Sequence, residues 1–241
     1  MDFNNKRVLV LGLGRSGLSA ARILKNAGCK VWVSDSGKTP KIEEQASFLE
    51  REGIIVETGG HSDEFIDSKD LIIISPGINS GLPILNKARE KGIPVISEIE
   101  LGFILCPAPV IAVTGTNGKT TVTTLIGMVI EKAGRHAVVC GNIGNSFTGE
   151  IEKIKKDDLV VLEVSSFQLE NIIQFRPHIA VVLNITPDHL DRYASVEDYI
   201  RAKERIFINQ ENSDYAVLNH RDSIVMNFKN KIKAKTVYFN T

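Results

Sequence analysis

The sequence contains little of what marks secreted, membrane-bound or nucleic-acid-binding proteins. It has only three cysteines, and they lie in or beside apolar runs, which is typical of reduced thiols in the cytosol and not of a disulfide framework. Its formal net charge is zero, so no electrostatic feature favours nucleic acid or an anionic membrane. Only a few apolar residues precede Gly12, too few for a secretion signal or a membrane span. We therefore expect a soluble, cytoplasmic, monomeric protein with neither nucleic acid nor a membrane as a partner.

The composition is that of a globular protein with two domains. The 241 residues are 43% hydrophobic and 24% charged, which is enough for two cores of ordinary size. The segment Cys106-Pro-Ala-Pro109 predicts a linker, because prolines on both sides of an alanine cannot continue a helix. We therefore predict a first domain over residues 1–105 and a second over residues 110–241.

Strands and helices alternate along the chain, and most strands are continuous apolar runs. Such runs are typical of parallel strands that helices cover on both faces. We therefore predict an α/β fold, with a Rossmann-like first domain followed by a P-loop NTPase-like second domain. The predicted strands lie at residues 8–11, 31–33, 54–56, 71–74, 94–96, 110–113, 137–139, 159–162, 179–183, 215–218 and 236–239.

The first strand ends in Gly12-x-Gly14-x-x-Gly17, and Asp35 follows the second strand. This spacing is the dinucleotide-binding fingerprint, in which glycines bring a pyrophosphate to a helix N-terminus and the acidic residue binds a ribose. Read alone, it favours NAD and an oxidoreductase. The same turn binds any pyrophosphate, including that of a UDP-sugar, so both ligands stay open. Ser75-Pro-Gly77 follows the strand at 71–74, where open α/β sheets bind ligands, although a plain turn explains it equally well.

A phosphate-sized loop joins the strand at 110–113 to the next helix, with the spelling Thr-Gly-Thr-Asn-Gly-Lys-Thr-Thr at residues 114–121. Gly115 and Gly118 let the backbone approach a phosphate, the helix N-terminus points N–H groups at it, and Lys119 supplies a cation. The two threonines that follow offer hydroxyls to a magnesium ion. The predicted ATP-binding residues are Gly115, Thr116, Asn117, Gly118, Lys119, Thr120 and Thr121.

Polar residues follow several other strands of the second domain. Glu163 comes directly after the apolar run at 159–162, where P-loop ATPases place a magnesium ligand, and a solvated strand end is the alternative. Because the carboxyl ends of parallel strands meet at one rim of a sheet, we expect the residues that follow these strands to gather there. They are Lys119, Asn142, Glu163, Asp188 and His189.

Two helices of the second domain carry apolar stripes. The helix after the ATP loop is predicted to bury residues at three- and four-residue spacing, namely Val122, Leu125, Ile126, Val129 and Ala133. The helix near 195–208 has Lys203 in the middle of a stripe formed by Val196, Tyr199, Ile200, Ile206 and Phe207. A lysine at that position is either buried for a functional reason or snorkels to the surface.

Together these motifs resemble those of the Mur ligase family, which forms amide bonds in peptidoglycan precursors. The residue sequence of the ATP loop is the most specific of the similarities to this family. The motifs also follow one another in the family's order over essentially the whole chain. The further motifs that carry it are Glu98-Ile-Glu100, Gly141-Asn-Ile-Gly144, Glu163-Val-Ser-Ser-Phe-Gln168, Asp188-His-Leu-Asp-Arg-Tyr193 and Lys203.

The resemblance implies roles for the site residues. The implied contacts of the UDP end of UDP-N-acetylmuramoyl-L-alanine are Arg15, Ser16, Asp35, Ser36, Ser75, Pro76 and Gly77. The muramoyl part would meet Asn142. The implied magnesium ligands are Thr120, Glu163, His189 and Lys203, of which Lys203 would be the family's carbamylated lysine. The implied catalytic residues are Lys119, His189 and Lys203.

The implied reaction is the addition of D-glutamate to UDP-N-acetylmuramoyl-L-alanine through an acyl phosphate, with ATP and Mg²⁺ as cofactors. It belongs to the peptidoglycan synthesis on which cell shape and division depend. The sequence stops at Thr241, so we expect the family's C-terminal domain, with most of the D-glutamate site, to be absent and this chain alone not to complete ligation. The alternatives are a sibling Mur ligase, a folate polyglutamate ligase, an NAD-binding oxidoreductase or an inactive nucleotide-binding fragment.

Overall fold

The computed structural model describes residues 3–188 and 192–240, and the chain divides into two compact units. The first unit is Met1–Ile104 with Ser146–Ile151, and the second is Leu105–Asn145 with Glu152–Thr241. No described helix combines the length and the apolar character that crossing a bilayer requires.

The described strands, numbered along the chain, are β1 (Arg7–Leu11), β2 (Lys30–Asp35), β3 (Ile55–Thr58), β4 (Leu71–Ile74), β5 (Val95–Ser97), β6 (Val110–Thr114), β7 (Ala137–Gly141), β8 (Leu159–Glu163), β9 (Ile179–Val182), β10 (Tyr215–Asn219) and β11 (Lys235–Phe239). The described helices are α1 (Arg15–Asn26), α2 (Pro40–Arg51), α3 (Pro83–Glu90), α4 (Glu98–Leu105), α5 (Lys119–Lys132), α6 (Phe147–Glu150), α7 (Val196–Glu204) and α8 (Ser223–Asn227). Every predicted strand is present, and the predicted α/β class is confirmed.

The first unit contains a parallel sheet in the order β3-β2-β1-β4-β5, which is the order of the first five strands of the Rossmann fold. The central strand β1 pairs with β2 on one side and with β4 on the other. All four residues of β4 are buried, as are the last four of β1, because helices cover both faces of the sheet. The loops that follow β1, β2 and β4 therefore start side by side.

The helix α4 is not predicted by the periodicity of its sequence. Its residues, Glu-Ile-Glu-Leu-Gly-Phe-Ile-Leu, place apolar side chains on all sides, and its first five residues are all buried. A helix that is apolar all round needs cover on every face, so it gives no amphipathic signal. The two glutamates of α4 are thus buried inside the unit, at 1% and 0% exposure.

Residues 146–151, which include α6, lie in the first unit although their sequence neighbours lie in the second. Glu98 anchors them, since its Oε1 accepts hydrogen bonds from the main-chain N–H of Thr148 at 2.7 Å and from the Thr148 hydroxyl at 2.6 Å. Gly102 makes room for Phe147, because a Cβ at Gly102 would lie 2.5 Å from the ring carbon Cδ1. Burial raises the pKa of Glu98, although the two bonds from Thr148 act in the opposite direction.

We predict that Glu98→Gln changes the pH dependence of stability. Because the pKa of Glu98 is raised on folding, the folded protein binds this proton more tightly than the unfolded chain does. The wild type should therefore lose stability as the pH rises above the ordinary glutamate pKa of about 4.3. Glutamine cannot ionise, so the variant should not show this loss. Its free energy of unfolding should therefore increase relative to that of the wild type as the pH rises.

Urea unfolding at a series of pH values measures this difference. Glu44→Gln is the control, because Glu44 is exposed on α2 and the same replacement there does not alter a buried carboxyl. If the free energies of unfolding of wild type and Glu98→Gln differ by the same amount at every pH, the Glu98 carboxyl does not titrate differently in the folded and unfolded states.

The second unit contains a parallel sheet in the order β11-β10-β9-β6-β8-β7. The strand β6 is buried over its whole length and lies between β8 and β9. Val113 of β6 stands opposite Glu163 of β8 on one side and Val181 of β9 on the other. The loops after these strands therefore open at one rim of the sheet, as the sequence predicts.

The helix α5 faces the sheet with a different side from the predicted one. Its buried residues are Thr123 and Gly127, and a Cβ at Gly127 would lie 2.4 Å from Cγ2 of Val139. These small side chains let the helix approach the sheet closely, which rotates part of the predicted stripe outward. The predicted burial is wrong for three exposed residues, Leu125, Val129 and Ala133.

Candidate functional site

The glycine loop after β1 is shaped by contacts that only glycine permits. Gly12 has a φ of +92°, and a Cβ added to Gly17 would lie 1.7 Å from the carbonyl oxygen of Gly12. Gly17 thus lets α1 begin close against the turn at the carboxyl edge of the sheet. Ser75, directly after β4, donates a hydrogen bond from Oγ to the carbonyl of Gly12 at 3.1 Å. The structure therefore joins the two predicted loops after β1 and β4.

Asp35 joins the loop after β1 to the loop after β2. One carboxylate oxygen accepts the N–H of Leu13 at 2.6 Å, and the other accepts the N–H of Gly37 at 2.7 Å. Three of the other predicted substrate residues are exposed, Arg15, Ser36 and Gly77, and two are partly exposed, Ser16 and Pro76. A helix N-terminus framed by these loops can bind an anionic pyrophosphate.

The ATP loop between β6 and α5 is held by residues that follow β9. The N–H of Thr116 donates to the carbonyl of Asn184 at 2.9 Å, and the N–H of Asn117 donates to Oδ1 of Asn184 at 2.9 Å. Gly118, with a φ of +83°, turns the chain into α5. The loop therefore has a fixed path, with the N-terminus of α5 at its end, and this arrangement can bind phosphate.

Lys119 folds its side chain back over this loop. Its Nζ donates to the carbonyl of Gly115 at 3.1 Å and to the carbonyl of Thr116 at 2.8 Å. Both acceptors are neutral main-chain groups, so moving the ammonium from them to a phosphate oxygen exchanges a neutral acceptor for a charged one. A charge-assisted bond to phosphate is also stronger than a bond to a carbonyl.

Glu163 accepts hydrogen bonds from two other predicted site residues. Its Oε2 accepts the hydroxyl of Thr120 at 2.7 Å, and its Oε1 accepts Nδ2 of Asn142 at 2.9 Å. Glu163 is 2% exposed, so it is not a solvated strand end. The carboxylate and the hydroxyl are hard oxygen ligands of the kind that Mg²⁺ prefers. Thr120 and Glu163 therefore place two oxygens of this kind side by side. Within residues 3–188 and 192–240, no three His, Cys, Asp or Glu side chains form a metal-binding group.

Lys203 is buried in α7 at 1% exposure and does not snorkel to the surface. Its Nζ donates to the carbonyl of Gly115 at 2.8 Å and lies 4.8 Å from the centre of the Tyr199 ring. Burial lowers the pKa of Lys203 to about 7, and the positive charge of Lys119 acts in the same direction. Burial and the charge of Lys119 thus both favour the neutral amine, which is the nucleophilic form.

The structure brings Lys119, Asn142 and Glu163 to one rim of the second sheet, as predicted. Asp188 is exposed, and its negative charge partly opposes the lowering of the Lys203 pKa. His189, the other residue predicted for this rim, lies outside the described residues.

The ATP loop is also contacted by residues that the motifs did not single out, among them Asn184, Thr186 and Tyr199. Oγ1 of Thr116 accepts the N–H of Thr186 at 3.0 Å and lies 2.9 Å from the Tyr199 hydroxyl. The position of Asn184 just after a predicted buried strand, like that of Glu163, could have identified it as a candidate site residue. No feature of the sequence distinguishes Tyr199 from the other residues of its apolar stripe.

Comparison with known protein families and curated proteins finds matches in both units. Residues 6–97 match the Mur ligase MurD-like N-terminal domain, and residues 113–241 match the Mur ligase middle domain. The chain is 46% identical over 240 residues to UDP-N-acetylmuramoylalanine–D-glutamate ligase of Koribacter versatilis, covering 100% of this chain and 53% of that protein. It is 43% identical over 239 residues to the protein of the same name from Pelotomaculum thermopropionicum, covering 99% and 52%. The chain thus spans about half the length of these curated relatives.

A solved structure supports the fold. UDP-N-acetylmuramate:L-alanyl-gamma-D-glutamyl-meso-diaminopimelate ligase from Neisseria meningitides is similar with a TM-score of 0.65 and 21% identity, covering 98% of this chain and 78% of that one. At that identity the similarity concerns the fold alone. It agrees with the α/β architecture and the parallel sheets described above.

Proposed function

The chain belongs to the Mur ligase family, and on this basis we propose that the whole protein adds D-glutamate to UDP-N-acetylmuramoyl-L-alanine at the expense of ATP. The substrates come from the name that the curated relatives share. The observation that carries the proposal is the bond between Thr120 and Glu163 beside the ATP loop. It joins a magnesium-type carboxylate to a phosphate loop, a pair that phosphoryl transfer requires and hydride transfer to NAD does not. The reaction would serve peptidoglycan synthesis in the cytoplasm.

The first unit is proposed to bind the UDP end of the substrate. The N-terminus of α1 offers main-chain N–H groups to the pyrophosphate, and Arg15 and Ser16 stand in its first turn. Asp35 supports this site by tying the loops after β1 and β2 together. Ser36 and the segment Ser75-Pro-Gly77 are proposed to contact the nucleotide from the two neighbouring loops.

The second unit is proposed to bind ATP with Mg²⁺. Residues 115–121 surround the phosphates, and Lys119 leaves its carbonyl partners to bind a phosphate oxygen. Thr120 and Glu163 would hold Mg²⁺, with His189 as a further ligand. When bound, Mg²⁺ offsets the negative charge of the phosphates. Asn142 is proposed to contact the muramoyl part of the substrate from its position beside Glu163.

In the proposed reaction an oxygen of the substrate carboxylate forms a bond to the terminal phosphorus of ATP, the bond from that phosphorus to the bridging oxygen breaks, and ADP leaves as the acyl phosphate forms. The amine of D-glutamate then forms the amide bond, and inorganic phosphate and one proton leave. The chain contributes position and charge to these steps and no covalent chemistry. Lys119 and the N–H groups of the loop stabilise the charge that develops on the transferred phosphoryl group.

Lys203 is proposed to carry a carbamate in the complete enzyme. Its neutral Nζ would form a bond to the carbon of carbon dioxide and lose one proton, giving an anion with two oxygens. Its burial and its lowered pKa favour this addition, because the ammonium form has no lone pair to react. The carbamate would place beside the ATP loop two oxygens that can ligate or orient magnesium.

Phosphate release by the complete protein tests the proposed function. With ATP and UDP-N-acetylmuramoyl-L-alanine present, we expect release with D-glutamate and not with L-alanine or meso-diaminopimelate. Preference for one of those amino acids would indicate a sibling ligase, and dependence on a folate substrate would indicate a folate polyglutamate ligase. Absence of ATP cleavage under all conditions would contradict the proposal.

A further inference from the structure

Asn184 makes three hydrogen bonds to the ATP loop from outside the loop's own sequence. Its main-chain carbonyl accepts the N–H of Thr116 at 2.9 Å. Its side chain pairs with Asn117 twice, since Oδ1 accepts the Asn117 N–H at 2.9 Å and Nδ2 donates to the Asn117 carbonyl at 3.0 Å. Both main-chain polar groups of Asn117 are therefore paired with one side chain.

This pairing depends on the chemistry of an amide side chain. Asparagine presents one acceptor and one donor side by side, which matches the N–H and the carbonyl of Asn117. Aspartate would set an oxygen against the carbonyl, and serine has only one polar atom. The reversed amide would place two donors against each other, so the pairing also determines the orientation of the amide.

The main chain on each side of Asn184 is itself held by the last residue of β10 and by the loop that follows that strand. Nδ2 of Asn219 donates to the carbonyl of Leu183 at 2.8 Å, and Oδ2 of Asp222 accepts the N–H of Ile185 at 2.8 Å. These two bonds flank Asn184 and fix its backbone. A side chain with a fixed backbone can impose a conformation on the loop that it contacts.

We propose that Asn184 is a positioning residue for nucleotide binding, because it holds Thr116 and Asn117 in the conformation that receives the phosphates of ATP. This inference rests on the proposed function of the second unit. Asn184 acts through the loop, and the benefit is preorganisation: the loop is ordered before the nucleotide arrives. Without the side chain of Asn184, part of the binding energy of ATP is consumed in ordering the loop.

Asn184→Ala tests the proposal, because it removes both bonds to Asn117 and leaves the main-chain bond to Thr116. We expect the Kd for ATP, measured by calorimetry, to rise about tenfold, which corresponds to about 1.4 kcal/mol. Amide hydrogen exchange at Asn117, resolved by NMR, should become at least about tenfold faster. Asn184→Ser lacks the same paired bonds and should give the same result if the alanine variant does not fold.

Asn209→Ala is the matched control. Nδ2 of Asn209 donates to the carbonyls of Ile173 and Phe175 at 2.9 and 3.0 Å, so its replacement also removes two side-chain bonds within the second unit. It should lower thermal stability without changing ATP affinity or exchange at Asn117. If Asn184→Ala and Asn209→Ala lose ATP affinity equally, general destabilisation of the second unit explains the loss and the proposal is overturned.

The two readouts separate this inference from the proposed function. Wild-type ATP affinity in Asn184→Ala would overturn the positioning role, whatever the exchange rate. If the wild-type chain does not bind ATP, the proposed function of the second unit is contradicted, and exchange at Asn117 decides whether Asn184 holds the loop. Faster exchange would then support the contact's role in loop order, and unchanged exchange would overturn it.

Discussion

Replacing Lys119 with alanine is expected to raise the Kd of the chain for ATP about 10- to 100-fold, because one charge-assisted bond to phosphate is worth roughly 1.5–3 kcal/mol. In the structure the ammonium of Lys119 donates to the carbonyls of Gly115 and Thr116. Hydrogen bonds to these neutral carbonyls are weaker than a hydrogen bond to a phosphate, so we expect the ammonium to exchange them for a phosphate oxygen when ATP binds. Isothermal titration calorimetry with ATP measures the change.

Lys132→Ala is the control for this experiment, since Lys132 is an exposed lysine in the last turn of the same helix. It removes the same charge from α5 at the end remote from the loop. We expect its ATP affinity to stay within about twofold of the wild type, because exposed charges at that separation are screened by salt. If Lys119→Ala also stays within that range, Lys119 does not contact the nucleotide.

Lys203→Ala is expected to lower kcat of the complete enzyme about 100-fold or more, since removal of one group that stabilises transition-state charge has an effect of this size. Its Nζ donates to the carbonyl of Gly115 at 2.8 Å, and the residue is 1% exposed. The carbamate proposal makes a sharper statement. Acetate or another short carboxylate should restore part of the activity of Lys203→Ala by occupying the vacated anionic position.

Two comparisons complete this test. Arg201→Ala, on the exposed side of α7, should retain most of the activity. Short alkylamines should not restore activity to Lys203→Ala, because they replace a cation. If alkylamines restore it and carboxylates do not, Lys203 acts as an ammonium and carries no carbamate.

The strands and the rim of the second sheet could be predicted because buried parallel strands have a strong local signature. Each is a short continuous apolar run, and the residue after it lies at the carboxyl edge whatever the details of packing. Glu163 and Asn142 were found in this way, and the structure joins them through a bond of 2.9 Å. The position of Lys203 in its stripe was readable for a similar reason, since helical periodicity determines the face of α7.

Features that depend on tertiary contacts could not be predicted. The close approach of α5 to the sheet is possible because Gly127, which has no side chain, lies next to Val139. The spacing of apolar residues in the sequence does not predict this contact. The placement of residues 146–151 in the first unit depends on the bond between Glu98 and Thr148, which are fifty residues apart in sequence. In the sequence, Asn184 is one of several polar residues that follow a strand. Its two side-chain contacts with Asn117, which distinguish it from the others, are visible only in the structure.

Calorimetry with three ligands tests the central claim most directly. UDP-N-acetylmuramoyl-L-alanine, ATP with Mg²⁺, and NAD are each titrated into the chain. We predict binding of the UDP-substrate, with loss of that binding in Asp35→Ala, because Asp35 ties together the loops that frame the pyrophosphate. We also predict binding of ATP, with weakening in Lys119→Ala, and no binding of NAD. Binding of NAD without binding of the UDP-substrate or ATP would contradict the account.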